Sequence, residues 1–172
     1  MRSYAEKTAR SALFLALAMI LSYVEAIVPL GAVIPIPGFK LGLASLAVTG
    51  AFFLLGLPYA IAVSVGKTLL SSLLFGSVTS FWFSFSGGLL VLLTLGIYRL
   101  VRPKTLGCIG LSVMCAAMHN AGQCLAASVL FGFSVLVYYL PALLFAALAT
   151  GTVTGILLYL ILKYTKHIKA FS

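Results

Sequence analysis

Apolar residues run along this chain in six long blocks, at 11–28, 40–57, 59–75, 81–98, 106–130 and 138–162. None of the blocks alternates apolar and polar positions with period two, so they predict helices rather than the strands of a β-barrel. About twenty residues at 1.5 Å each cross the hydrocarbon of a bilayer. The expected fold is therefore an all-α integral membrane protein, a single six-transmembrane-helix bundle filling residues 1–172. The breaks carry turn chemistry: Pro29-Leu30-Gly31, Pro35 to Gly38, Gly56-Leu57-Pro58, Gly76-Ser77, Arg102-Pro103-Lys104 and Gly132. The break at Gly56 is so short that the second and third spans should form a helical hairpin.

The basic residues set an orientation. With a cytoplasmic N-terminus, Arg2, Lys7, Arg10, Arg99, Arg102, Lys104, Lys163, Lys166 and Lys169 all lie inside, and only Lys40 lies outside. That asymmetry follows the positive-inside rule and puts both termini in the cytoplasm of a multi-pass protein of the cell membrane. The first block lacks a small-residue cleavage site and reads as a span rather than a cleaved signal.

Composition then removes several function classes. Hydrophobic residues make up 63% of the chain and charged residues 8%, against about a quarter charged in soluble domains. The net charge of +9 sits at span ends, which is a membrane pattern and does not indicate nucleic acid. The chain has no Asp, and its carboxylates are Glu6 and Glu25. Magnesium-dependent ionisation of a diphosphate, which needs paired carboxylates, has no groups to work with, and no catalytic residue is assigned. Cys108, Cys115 and Cys124 lie in apolar contexts without a CxxC and read as small buried residues. Cys115 and His119 supply two zinc-type ligands at i, i+4 with no others evident, so neither metal nor cofactor is expected.

Candidate chemistry lies inside the spans. Lys67 falls in the middle of the third block, where a charge costs about 2.5–3.5 kcal/mol on insertion scales. Glu25 lies roughly 20 Å along the first span and His119 roughly 20 Å along the fifth, with Gln123 a turn further out. Ser64, Lys67 and Ser71 share one helical face, as do Cys115, His119 and Gln123, with Asn120 alongside. The candidate substrate-binding set is thus Glu25, Lys40, Lys67, His119, Asn120 and Gln123, for a small anionic molecule reached from outside. Two other arrangements fit the same residues. Lys67 can pair with Glu25 structurally while His119, Asn120 and Gln123 join helices, or Glu25 and His119 can relay protons. Aromatics from Phe75 to Phe85 and from Phe131 to Tyr139 flank the outer loops, either as an interfacial belt or as a surface on which a planar or isoprenoid ligand stacks. Gly87-Gly88 permits close approach of a helix or ligand. Ala5, Ala9, Ala12 and Ala16 form a small-residue stripe on the first span, and Gly151 and Gly155 another on the last.

Several of these segments together resemble a known family. The first span with Ala12, Ala16 and Glu25, the segment 35–44 (PIPGFKLGLA), Leu74-Phe75-Gly76, Ser86-Gly87-Gly88 and 119–123 (HNAGQ) are similar to the Gx transporter family, whose members are often labelled "heptaprenyl diphosphate synthase component I". That family resembles the substrate-binding S components of energy-coupling factor (ECF) importers. The resemblance implies six helices, an outward-facing site for a vitamin-like micronutrient, a transmembrane coupling subunit and two cytoplasmic ATPases as partners. It also implies that Ala12 and Ala16 contact the coupling subunit. The chain has no Walker A motif, so energy for transport would come from those partners. The alternatives are a non-catalytic membrane partner in prenyl diphosphate or quinone metabolism, and a proton-coupled secondary transporter. The chain lacks two recognisable halves, which argues against an inverted-repeat carrier.

Overall fold

A computed structural model describes residues 2–27, 40, 42–101 and 106–170. Six helices follow one another: α1 (Arg2–Ile27), α2 (Ser45–Leu55), α3 (Leu57–Phe75), α4 (Val78–Val101), α5 (Cys108–Phe131) and α6 (Ser134–Ala170). The breaks expected at Gly56, Gly76 and Gly132 fall between helices as read. Those at 29–31, 35–38 and 102–104 lie outside the described residues.

One expectation needs correction. Among the described residues five helices, not six, are long and apolar enough to cross a membrane. The second block, read as a span over 40–57, contains a helix of only 11 residues, about 16 Å long against a hydrocarbon core of about 30 Å. Lys40 therefore lies ahead of the helix instead of opening it, and Gly42 to Ala44 are non-helical. Every residue of α2 from Ser45 to Ala51 is buried, and α2 packs on each of the other five helices. A helix apolar on every side with no lipid-facing stripe is what a central position selects. Hydropathy scores such a helix like a span, because neighbouring helices are as apolar as lipid.

Close contacts give the helix directions. Phe14 of α1 lies under Gly50, and Glu25 meets Leu43, so α1 and α2 run antiparallel. Leu15 faces Gly66, and Tyr23 packs edge-on against Phe75, so α3 runs parallel to α1. The expected α2–α3 hairpin follows, closed by Gly56 at φ 103° with Pro58 in the first turn of α3, positions that suit glycine and proline respectively. The seams α4–α5 and α5–α6 are antiparallel too. Gly122 abuts Ser86 and Gly87, while Gly151 and Gly155 sit against Val113 and Ile109. The last pair identifies the partner of the Gly151/Gly155 face as α5. Continued alternation brings the start of α1 and the end of α6 to the same end of the bundle.

Two apolar clusters fill the interior. Ala18, Val48, Val63, Leu95 and Leu111 belong to one, and Phe83, Cys124, Val135 and Leu143 to the other. The aromatics divide accordingly. Trp82 and Phe85 are exposed on the α4 surface beside Phe81, whereas Phe83 is fully buried near Phe131.

Candidate functional site

The non-helical stretch before α2 organises the polar interior. The Gln123 side chain on α5 grips the backbone of Lys40 at both polar atoms. The Lys40 N–H donates to Gln123 Oε1 at 2.8 Å, and Gln123 Nε2 donates to the Lys40 carbonyl at 2.8 Å. Non-helical backbone inside a membrane bundle has to find such partners, since lipid offers none. From the other side, the Leu43 N–H donates to Glu25 Oε1. Gly42, at φ 84°, lies where a Cβ would come 3.2 Å from His119 Cδ2. A side chain there would meet both an unfavourable backbone conformation and the imidazole.

His119 is consequently held between two glycines. A Cβ on Gly87 of α4 would lie 2.5 Å from His119 Nδ1, and the ring hydrogen-bonds the Gly87 backbone. The second nitrogen, Nε2, is buried without a hydrogen-bond partner. Asn120 donates through Nδ2 to the Leu143 carbonyl of α6 at 2.8 Å, and its Oδ1 is likewise unpartnered. Glu25 Oε2 and Lys40 Nζ complete a set of four unpartnered buried polar atoms on four of the six candidate residues. Buried polar groups in native proteins nearly always find partners, so such a cluster points to function.

Lys67 is 4% exposed and shares a buried face of α3 with Ser64 and Ser71, as their spacing predicts. It lies within Coulombic range of Glu25, Lys40 and His119. No ion pair within 4.0 Å joins it to Glu25. Among the described residues the one such contact is Arg10 with Glu6 on the exposed start of α1. All six candidate residues are therefore buried, and five of them converge from α1, the pre-α2 segment, α3 and α5, while the Asn120 side chain is engaged with α6. Ser22 and Ser84 are fully enclosed with unpartnered hydroxyls and join the inventory of interior polar groups. Ser22 was legible at i, i+3 from Glu25, on the one face of α1 that enters the bundle.

Ala12 and Ala16 lie elsewhere. Both are exposed, as are Ala5 and Ala9, whereas Ala18, Ser22 and Glu25 on the opposite side of α1 are buried. The stripe therefore is not used in packing within the bundle. Among the described residues, no group of three His, Cys or carboxylate side chains is placed to hold a metal ion.

The profile of the family described as "Heptaprenyl diphosphate synthase component I" matches residues 14–161, which is most of the chain and includes all six candidate site residues. The chain belongs to this family. Its description names one component of a larger enzyme, a subunit that works with a partner. This member of the family is a bundle of apolar helices without a single Asp. No curated protein and no solved structure matches the chain.

Proposed function

We propose that this family member is a membrane-embedded substrate-binding subunit that captures a small anionic molecule at Lys67, Lys40, Glu25, His119, Asn120 and Gln123, and that it serves an ECF-type importer as its S component. The observation that carries the binding role is the cluster of unpartnered polar atoms enclosed in the bundle. Two lysines face one interior glutamate there, which favours a negatively charged guest. The exposed Ala12/Ala16 face supports the second half of the reading, because small side chains on a lipid-facing helix allow another helix to approach closely. The excess of basic residues near the start of α1 and the ends of α4 and α6 supports a cytoplasmic position for that end of α1, where ATPase subunits would attach through a coupling subunit. The family description favours a second reading, a non-catalytic membrane partner of a prenyl diphosphate synthase.

Two experiments separate these readings. Native mass spectrometry of the purified protein should reveal a carried-over small molecule that Lys67→Met lacks. Met keeps the length and apolar stem of Lys67, so the ligand-free variant should melt within about 1 kcal/mol of the parent or above it, as expected when an interior charge is replaced by an apolar isostere. If Lys67→Met melts early, Glu25→Gln restores it and the carried mass persists, the pair is structural and the binding reading fails. For the partner, replacing Ala12 and Ala16 together by Leu should leave the isolated subunit folded while co-purification with ATPase subunits and uptake disappear. Retention of a soluble prenyl synthase in place of ATPases would support the second reading.

A further inference from the structure

The unpartnered atoms of the buried cluster each donate or accept hydrogen bonds, and that division restricts the guest. Glu25 Oε1 is taken by the Leu43 N–H, which leaves Oε2, an acceptor, without a partner. The His119 ring turns Nδ1 towards Gly87 and hydrogen-bonds the backbone of that residue. Gly87 lies well inside α4, where an N–H is committed to the carbonyl four residues back, so the atom open to the ring is the carbonyl. The ring therefore donates through Nδ1, and in the neutral tautomer so fixed Nε2 carries a lone pair. It is a second acceptor, and it too is unpartnered.

The two acceptors stand beside consecutive residues. Gly42 lies against His119 Cδ2, the ring carbon bonded to Nε2, and Leu43 is bound to Glu25. Adjacent Cα atoms are about 3.8 Å apart, so one small molecule can reach both. The positive side of the cluster consists of Lys40, whose Nζ is unpartnered, and Lys67, both within Coulombic range of Glu25 and His119. Two ammonium groups against one carboxylate leave a single positive charge for the guest to balance. A diphosphate overshoots that balance. When ionised it only accepts hydrogen bonds, so its oxygens would stand against Glu25 Oε2 and His119 Nε2. Buried acceptors without donors are costly.

We propose that the guest is a singly charged carboxylate on a frame that carries N–H groups, with the carboxylate held by Lys40 and Lys67 and the N–H groups donating to Glu25 Oε2 and His119 Nε2. This rests on the cluster being a ligand site, as proposed above, and names the class of ligand; it is independent of the importer assignment.

The test reads the melting temperature of the purified full chain in detergent with two matched pairs of probes and inorganic diphosphate. Orotate and benzoate are planar ring carboxylates with and without ring N–H groups. Pyroglutamate and its lactone analogue differ only in an N–H replaced by oxygen. In at least one pair the N–H member should raise the melting temperature at about tenfold lower concentration than its partner, which leaves buried acceptors unpaired. That member should also act below the concentration at which inorganic diphosphate does, and Lys67→Met should weaken every carboxylate. Glu25→Gln can keep the Leu43 N–H on Oε1 while an amide donor replaces the acceptor Oε2. The N–H preference should then shrink and the response to diphosphate should rise. His119→Phe removes the other acceptor and should also narrow the preference, which keeps the test open should Glu25→Gln fold poorly. A preference that survives both variants would place the donors elsewhere and overturn the assignment. Equal responses within both pairs, lost in Lys67→Met, would overturn the N–H requirement and leave the cluster reading standing. Diphosphate acting at the lowest concentration would overturn the proposal in favour of the synthase-partner reading. Silence of all five probes also overturns it, while a native mass lost in Lys67→Met would still uphold the cluster.

Discussion

Gly122→Ala should cost the protein its stable fold, although it adds one methyl group. The new Cβ would stand 2.6 Å from the Ser86 carbonyl oxygen and 2.8 Å from Gly87 Cα. Both obstacles are backbone of a neighbouring helix, so no rotamer change relieves the clash and α4 has to move away from α5. Overpacking of this kind costs about 1–3 kcal/mol. Here the displaced seam also carries His119 on Gly87, so that side of the polar cluster would open with it. Gly96→Ala supplies the control, because a Cβ there meets nothing within 4 Å and alanine favours helix by up to about 1 kcal/mol. Size-exclusion profiles and melting curves of the two variants should diverge clearly. A Gly122→Ala protein that melts with the parent would show that α4 and α5 are further apart than described.

Gln123→Leu should be the most damaging change among the candidate site residues. Leucine keeps most of the volume and removes both polar atoms, which strands the Lys40 N–H and carbonyl inside the bundle. Each orphaned buried group costs about 1–3 kcal/mol. Hydrogen bonds between transmembrane side chains average only about 0.6 kcal/mol, because alternative partners exist in the membrane-inserted reference state. Lys40 lies in a non-helical segment without a helical ladder to fall back on, so the upper scale applies, and a loss of about 2–4 kcal/mol is expected. Melting should fall, and protease cleavage near the pre-α2 segment should rise. Asn120→Leu removes a single side-chain donor to the Leu143 carbonyl and should cost less. If Gln123→Leu were as stable as the parent, the two-point grip on Lys40 would not hold the segment in place.

Much of this architecture can be read from residues alone, for specific reasons. Gly56, Gly76 and Gly132 interrupt apolar runs where the helices do end, because glycine and its neighbours combine weak helix propensity with turn geometry. The interior position of Lys67 follows from depth, since a lysine that far from either end of a span has no route to water. The α2 length was not legible. Ser45 to Leu55 and a true span differ in what surrounds them, and hydropathy does not distinguish helix from lipid as a neighbour. The role of Gln123 was hidden for a related reason: its partner is the backbone of Lys40, and a backbone amide has no residue signature. The Gly151/Gly155 face was visible as a face, but its partner became identifiable only from the packing against Val113 and Ile109.

The grip of Gln123 on Lys40 has a consequence for how the protein is made. The two residues are 83 positions apart, and ribosomes add about 5–20 residues per second, so Lys40 leaves the ribosome on the order of ten seconds before its partner exists. During that interval α2 is too short to cross the bilayer by itself, and the Lys40 peptide groups lack the partner that Gln123 later supplies. The nascent chain must hold this segment at the translocon or against α1 and α3 until α5 arrives. Premature termination before α5 would leave an unanchored polar segment in the membrane, the kind of defect that quality-control proteases recognise. Completion of the polar cluster is thus tied to completion of the chain, and a partly synthesised protein cannot present it.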